Sequence, residues 1–292
     1  MSVVWALAVR NLRLFFRDRL NVFFSLLGAI ILFGLYTMFL SNLQTADLAA
    51  NLPGATADEV QVFVDSWMFA GIVLITTVTT GLGGFSTLVD DGQTGRFRDF
   101  LVAPLRRGQL VLGYLIAAII ISLVMSLIVF AVALLYLGIL RDAWMPVDAI
   151  LRSLGIVVLS CVSFTSLAAL LASFVRTSGA FSGLATIVGT VLGFIAAAYL
   201  PMGLLPGGVA SGLSALPFAQ AGMLLRREFA ADNLSVIVAD APGAEETLRT
   251  FFGLDLTIGD WAVPDWFVVV VLLVVAVVCA VLSALRIRAR MR

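Results

Sequence analysis

Hydrophobic positions along this chain fall into long unbroken blocks, with neither the strand alternation nor the one-faced stripe of a soluble core. The longest block lies between Arg107 and Arg141, thirty-three residues without a charged side chain. Five further apolar blocks of about twenty residues or more accompany it, separated by short arginine-bearing or acidic loops. A helix needs about twenty apolar residues to cross a hydrocarbon core of roughly 30 Å, so blocks of this length predict transmembrane helices. Six spans are expected: Leu20 to Leu40, Trp67 to Val89, Leu110 to Leu140, Ile150 to Phe174, Ala180 to Leu200 and Trp266 to Leu285.

One stretch does not divide so simply. Thr177 to Leu225 is forty-nine residues without charge, long enough for two spans, but its second half is broken by Pro201, Gly203, Pro206, Gly207, Gly208, Gly212, Pro217 and Gly222. Irregular backbone at membrane depth survives only where protein or a water-filled cavity satisfies its polar groups. A seventh full span would also place the four C-terminal arginines on the side opposite the other arginine clusters, against the charge rule. The expectation is therefore one span followed by a re-entrant or interfacial helical pair, then a polar, acid-rich segment from about Arg226 to Asp265. The fold class this predicts is an all-α polytopic membrane protein: six transmembrane helices, with the helical pair between spans five and six. Residues 1–292 form a single membrane domain, divided into an interface helix (1–19), a loop segment (90–108) and the re-entrant and external segment (201–265).

Composition agrees with a protein solvated by lipid: 61% of residues are hydrophobic, 12% are charged, and mean hydropathy is +1.10. Net charge is zero, so the distribution of charge carries the information. All eighteen basic residues are arginine, with no lysine and no histidine. A phosphate-binding loop of the G-x-x-x-x-G-K-[ST] kind needs its lysine, so that ATP site is excluded on this chain. Histidine general acid/base catalysis and histidine metal clusters are excluded with it. No catalytic residue and no metal ligand is assigned, and no cofactor is expected on the chain. Cys161 and Cys279 lie inside apolar blocks and read as small buried hydrophobes. If the N-terminus is cytoplasmic, thirteen of the eighteen arginines fall on the inner side and fourteen of the eighteen acids on the outer. Arginine bias near span ends sets orientation, so both termini are expected in the cytoplasm of a multi-pass protein of the bacterial plasma membrane.

Before the first span, VVWALAVRNLRLFFRDR reads as an amphipathic helix lying along the inner surface. Arg10, Arg13 and Arg17 recur on one face, while Trp5, Leu12, Phe15 and Phe16 can enter the headgroup boundary. A plain anchor for the first span and a platform that touches a cytoplasmic partner are both open readings of it. Between the second and third spans stands DDGQTGRFRDFLVAPLRRGQLVLGYL. Phe97, Phe100 and Leu101 are bulky apolar residues on a solvent-side loop, and Pro104 ends any helix they form, because a residue before proline avoids helical geometry. An ordinary arginine-bearing loop is the plain alternative to a docking stub.

At this point the chain resembles the membrane subunits of ABC-2 type transporters. Asp90, Asp91, Gly95, Phe100, Leu101, Val102 and Pro104 match that family's coupling segment of acids, glycine, apolar triplet and proline. Arg98 departs from it: the family commonly has an acid near there, and here Asp99 comes one position late. PFAQAGMLLR, Pro217 to Arg226, looks like the segment that follows the family's re-entrant turn. The resemblance implies an ATPase-coupling role for Asp90, Asp91, Gly95, Phe97, Arg98, Asp99, Phe100, Leu101 and Pro104. It also implies cytoplasmic ABC ATPase subunits that hold ATP and Mg, and a second copy of the chain or a homologous permease as partner. Membrane lipid surrounds it, and nucleic acid has no part.

Two spans carry narrow polar faces. Thr76, Thr79, Thr80, Gly83 and Ser86 recur at three- and four-residue spacing in the second, and Ser182, Thr186, Gly189, Thr190 and Gly193 in the fifth. Such faces serve close helix packing or contact with cargo, and the resemblance implies that these spans meet their counterparts at a dimer interface where substrate passes. No acid or base lies within these six spans as drawn, apart from Arg152 near the start of the fourth. Intramembrane charges mark ion and proton pathways, so the pattern argues against an ion-coupled carrier. The expected function is the permease of an ATP-driven exporter moving a lipid, amphipathic drug or lipid-linked glycan outward. A secondary transporter, a channel or a membrane assembly scaffold are the alternatives.

Overall fold

The computed structural model describes residues 3–52, 54–96 and 106–290. Helices carry almost all of it. In chain order they are α1 (Val3–Arg17), α2 (Arg19–Leu35), α3 (Ser41–Asn51), α4 (Ala57–Gly83), α5 (Ser86–Gln93), α6 (Arg107–Leu135), α7 (Val147–Phe174), α8 (Ser178–Ile195), α9 (Gly207–Ser214), α10 (Pro217–Ile237), α11 (Glu245–Phe251) and α12 (Asp265–Arg290). Single π-helical turns extend α2 over Tyr36–Leu40 and α6 over Tyr136–Leu140. Among the described residues, six helical segments are long and apolar enough to cross a membrane: Arg19–Met38, Ala57–Gln93, Arg107–Leu140, Val147–Phe174, Ser178–Ile195 and Asp265–Ala289. They coincide with the six expected spans.

Local chemistry starts several of these helices. Thr56 and Glu59 form a reciprocal capping box ahead of α4: the Glu59 amide donates to Thr56 Oγ1 at 3.3 Å, and the Thr56 amide donates to Glu59 Oε2 at 2.8 Å. Asp18 caps α2 by accepting from the Asn21 amide at 3.1 Å, and Thr177 caps α8 by accepting from the Ala180 amide at 3.2 Å. Pro217 opens α10, where its fixed φ and missing N–H carry no penalty.

Helix α4 is the axis of the molecule. Its most apolar stretch is 89% buried, against 17% for both α2 and α8, so it is the centre on which most of the other spans pack. Helices α2, α6, α7, α8 and α10 all pack on α4, α12 lies on α7, and α1 lies on α6. The main core runs through Phe63, Trp67, Phe69, Val73 and Leu74 of α4 to Phe164 of α7 and Leu225 of α10. A second cluster gathers Leu7, Phe85, Leu110, Tyr114 and Ile287 at the end of the bundle that carries α1 and α5.

After α8 the helical course breaks. Ala197 takes a φ of 50°, a left-handed conformation that costs a residue with a Cβ about 1–2 kcal/mol, and a 3-10 turn follows at Met202–Leu204. Helices α9 and α10 then meet at 87°. Phe218, at the start of α10, stacks on Phe164 of α7 with ring centroids 4.9 Å apart. From there α10 runs back past Leu74, which faces Gly222, to Ser66, whose Oγ accepts from Asn233 Nδ2 at 2.9 Å. The pair is sharply bent, as a re-entrant loop or a broken span is. The structure differs from the expectation at Arg226: placed at the start of the polar external segment, it lies in the middle of α10 and is wholly buried.

The segment between α10 and α12 is compact. Trp67 Nε1 donates to the Phe252 carbonyl at 2.7 Å, and the Phe63 and Phe252 rings meet edge to face at 4.9 Å. A two-residue ribbon pairs β1 (Thr257–Ile258) antiparallel with β2 (Trp261–Ala262), with Ile258 opposite Trp261. Asp255 accepts from Arg227 Nη2 at 2.5 Å and from Arg249 Nε at 2.6 Å, and Arg227 also reaches Asp265. Burial alone would raise the Asp255 carboxyl, but the bonds from Arg249 and Arg227 outweigh it and hold it below its ordinary value.

Candidate coupling hub and translocation groove

Two neighbouring sites emerge, one at the α1–α5 end and one along a face of the bundle. At the first, Asp91 stands on α5 just beyond the second span and is completely enclosed. Arg10 of α1 grips it with two bonds, from Nη1 at 2.7 Å and Nη2 at 3.1 Å. The Tyr114 hydroxyl of α6 donates to it at 2.5 Å, and Arg96 reaches it at 3.4 Å. The bond to Asp91 raises the Arg10 guanidinium further above its ordinary value. A buried carboxylate is stable only when its oxygens are paired and hydrogen-bonded, and here four bonds from three elements satisfy it. The loop that follows the second span is thus tied at its base to α1 and to the third span.

Arg10 is therefore turned into the protein, whereas Arg13 and Arg17 are exposed. Phe15, expected at the headgroup boundary, is instead buried against Ile121 and Met125 of α6, while Trp5 and Phe16 remain exposed. Asp90 lies one residue to the side of Asp91 and turns to α8, where its Oδ1 is 2.6 Å from Ser178 Oγ. Gly95, at a φ of 76°, supplies the left-handed turn that ends α5. Phe97, Arg98, Asp99, Phe100, Leu101 and Pro104 lie outside the described residues.

The second site is a groove bounded by α2, α4 and α8. Two contiguous cavities of about 490 and 410 Å³ share Phe24, Gly28, Thr79, Ala185 and Gly189. Of the polar residues picked out in the second and fifth spans, Thr79, Ser86, Ser182, Thr186 and Thr190 line it. Thr76 and Thr80 do not. They are buried in the interior, where their hydroxyls donate back to the Ile72 and Thr76 carbonyls at 2.8 and 2.5 Å. At about 100° per residue the stripe is wider than it looks in sequence: Thr79 and Ser86 fall on one flank, Thr76 and Thr80 on the other. Sequence reasoning missed the third wall, made by Phe24, Leu27, Ile31 and Leu35 of α2. Gly28, in the middle of that helix with nothing within 4 Å of a would-be Cβ, was the available signal.

Six membrane-length helices pack about the second, α1 is paired to the loop after that span, and a sharply bent helical pair precedes the last. The profile of the ABC-2 type transporter family matches residues 2–226. The chain belongs to that family. It is a multi-pass membrane protein and the permease component of an ABC transporter. The match runs from α1 to Arg226, so it takes in the hub, the groove and the first half of α10 and stops short of the compact segment that follows. No curated protein matches the chain.

Among the described residues no group of three or more His, Cys, Asp or Glu gathers as a metal site would. Cys161 and Cys279 are both buried and unpaired with one another.

Proposed function

We propose that this ABC-2 permease is the membrane subunit of an ATP-driven exporter in the bacterial plasma membrane, with both termini in the cytoplasm. ATP and Mg reside on cytoplasmic ABC ATPase subunits that dock at the α1–α5 end. A second copy of the chain, or a homologous permease, covers the face formed by α2, α4 and α8. Nucleotide-driven closure of the ATPase pair pushes the segment after α5, and the groove opens and closes in response. The observation that carries this reading is the groove's character. Apolar walls from Phe24, Leu27, Ile31, Leu35 and Ile75 carry a short row of hydroxyls from Thr79, Thr186 and Thr190, and no charge lies among them. Such a surface suits a molecule with a long apolar part and neutral hydrogen-bonding groups, such as a lipid, an amphipathic drug or a lipid-linked glycan moved outward, better than an inorganic ion. Exposed Phe23, Phe24, Ile30, Ile31 and Leu35 on α2 and Ile187, Val191 and Phe194 on α8 supply the apolar face for the second permease.

The test is hydrolysis by the purified chain in proteoliposomes, alone and after addition of an ABC ATPase subunit. No turnover alone, and turnover that depends on both components, is the expected result. Hydrolysis by the isolated polypeptide, or ion flux without any ATPase, would replace this reading with an enzyme or a secondary carrier.

A further inference from the structure

Helix α8 is held unusually. Of its eighteen residues only Phe181, Leu192 and Gly193 are buried, and it borders open grooves on two faces. One is the α2–α4–α8 groove. The other is an apolar cavity of about 260 Å³ against α7, lined by Val78, Phe164, Ile187, Val191 and Phe218 among others. Its ends are different.

At the α5 end, the Ser178 amide donates to Gln93 Oε1 at 2.7 Å, and the Ser178 hydroxyl sits 2.6 Å from Asp90 Oδ1 and 2.7 Å from Gln93 Oε1. Gln93 thereby satisfies one of the orphan amides of the first turn, and the Asp90 charge faces the positive end of the helix dipole. At the far end side chains claim the carbonyls just past the last turn. Arg226 Nη2 donates to Ala196 O at 2.5 Å and Ala197 O at 2.8 Å, and the Tyr36 hydroxyl lies 3.3 Å from Ala198 O and 3.1 Å from Tyr199 O. Arg226 is fully buried, lies over the Trp67 ring at 5.6 Å, and has no carboxylate partner among the described residues. Its charge is therefore matched to backbone dipoles at the negative end of α8. At the same level Gly71 of α4 admits Ala198, whose Cβ would lie 2.9 Å from any Cβ at position 71.

We propose that α8 is a strut held by side-chain clamps at its two ends, with Ser178 and Arg226 as its positioning residues. It carries displacement of the α5 segment across about 27 Å, eighteen residues at about 1.5 Å each, to the re-entrant pair α9–α10. A helix clamped by polar bonds at both termini and loosely packed between them moves as one rigid body. The Asp90–Gln93–Ser178 clamp sets its inner end on the segment after the second span, and the Arg226 clamp makes the outer end and α10 travel together. This rests on the reading that an ATPase acts at the α1–α5 end.

The experiment uses the permease reconstituted with its ABC ATPase subunit, in a Cys161→Ala, Cys279→Ala background, with a spin label at either Thr94→Cys beside α5 or Leu200→Cys beyond α8. Trapping with ADP and vanadate should change the spectrum of both labels. In Ser178→Ala the Thr94 label should still respond and ATP turnover should stay within about twofold, while the response at Leu200 falls by more than half. Ser178→Thr, which keeps the hydroxyl, should restore it. An undiminished Leu200 response in Ser178→Ala would overturn the strut. If trapping leaves the Thr94 label of the unaltered complex unmoved, the ATPase reading itself fails and the strut falls with it. Arg226→Met tests the outer clamp: the Leu200 label should uncouple from one at Asn233→Cys on α10, and retained joint movement would refute that half.

Discussion

Replacing the two members of the Arg10–Asp91 pair singly should give unequal penalties, with the arginine the more costly to remove. Asp91 is fully enclosed, whereas the Arg10 side chain is 30% exposed. Taking one partner from a buried pair costs roughly 3–5 kcal/mol, because the other charge is left uncompensated. In Arg10→Met the stranded group is the enclosed carboxylate. Arg96, at 3.4 Å and 56% exposed, can move in to relieve part of it, which places the expected loss near the lower end, about 3 kcal/mol. In Asp91→Asn the stranded group is a guanidinium that already reaches water, and the new amide keeps the shape and one acceptor for Tyr114. What is lost is the charged character of the bonds, worth about 1.5–3 kcal/mol at most for a hydrogen bond to a charged group. The double variant should cost less than the sum, since both changes remove one shared interaction, by about 0.5–3 kcal/mol. Unfolding of the purified permease in mixed micelles, titrated with SDS, measures all three. An Asp91→Asn loss equal to or greater than that of Arg10→Met, or strict additivity, would refute the account of the hub as an enclosed carboxylate satisfied from α1.

Three further outcomes are expected. Cysteines at Asp58 and Glu245 should react with a membrane-impermeant thiol reagent in intact cells and one at Arg98 should not; labelling at Arg292 from outside would require an odd number of spans. Gly71→Ala should lower thermal stability by about 1–3 kcal/mol through overpacking against Ala198, whereas Gly28→Ala, in open space in the middle of α2, should raise it by about 0.5–1 kcal/mol; equal shifts in a detergent melt would contradict the packing described. Because the folded Asp255 carboxyl titrates below its ordinary 3.8, the stability it gives is present above that value and lost as pH falls through it and below; melts from pH 6 to pH 3 should show this acid-dependent loss, reduced in Asp255→Asn.

Much of the fold was legible because lipid imposes a crude rule: twenty apolar residues in a row announce a span, and all six spans obey it. Proline and glycine spacing after Leu200 likewise announced the bent helical pair that follows α8. Less was legible where the partner is backbone. Arg226 reads in sequence as the first charge of a polar segment, and nothing local reveals that its acceptors are the Ala196 and Ala197 carbonyls thirty residues upstream. Asp91 was picked out from the family pattern, but its pairing with Arg10 joins residues eighty-one positions apart, and the arginine face of α1 was read as turned to the membrane surface or a partner rather than into the fold. The threonine stripe of α4 is divided for another reason. Three- and four-residue spacing defines a face about 120° wide, and a helix packed on all sides divides such a face between its interior and its groove.

The arginine buried in α10 also fixes an order of events during synthesis. Every group that stabilises it comes earlier in the chain: Tyr36, Trp67, Ala196 and Ala197 all precede residue 226 and leave the ribosome first. A charged side chain is costly to insert into lipid by itself, but the carbonyls and the indole ring that receive it are synthesised before α10. Biogenesis can therefore proceed from N- to C-terminus without leaving the cation unsolvated. A circular permutation that moved α10 ahead of α8 would keep every contact of the finished protein and lose this advantage during its insertion.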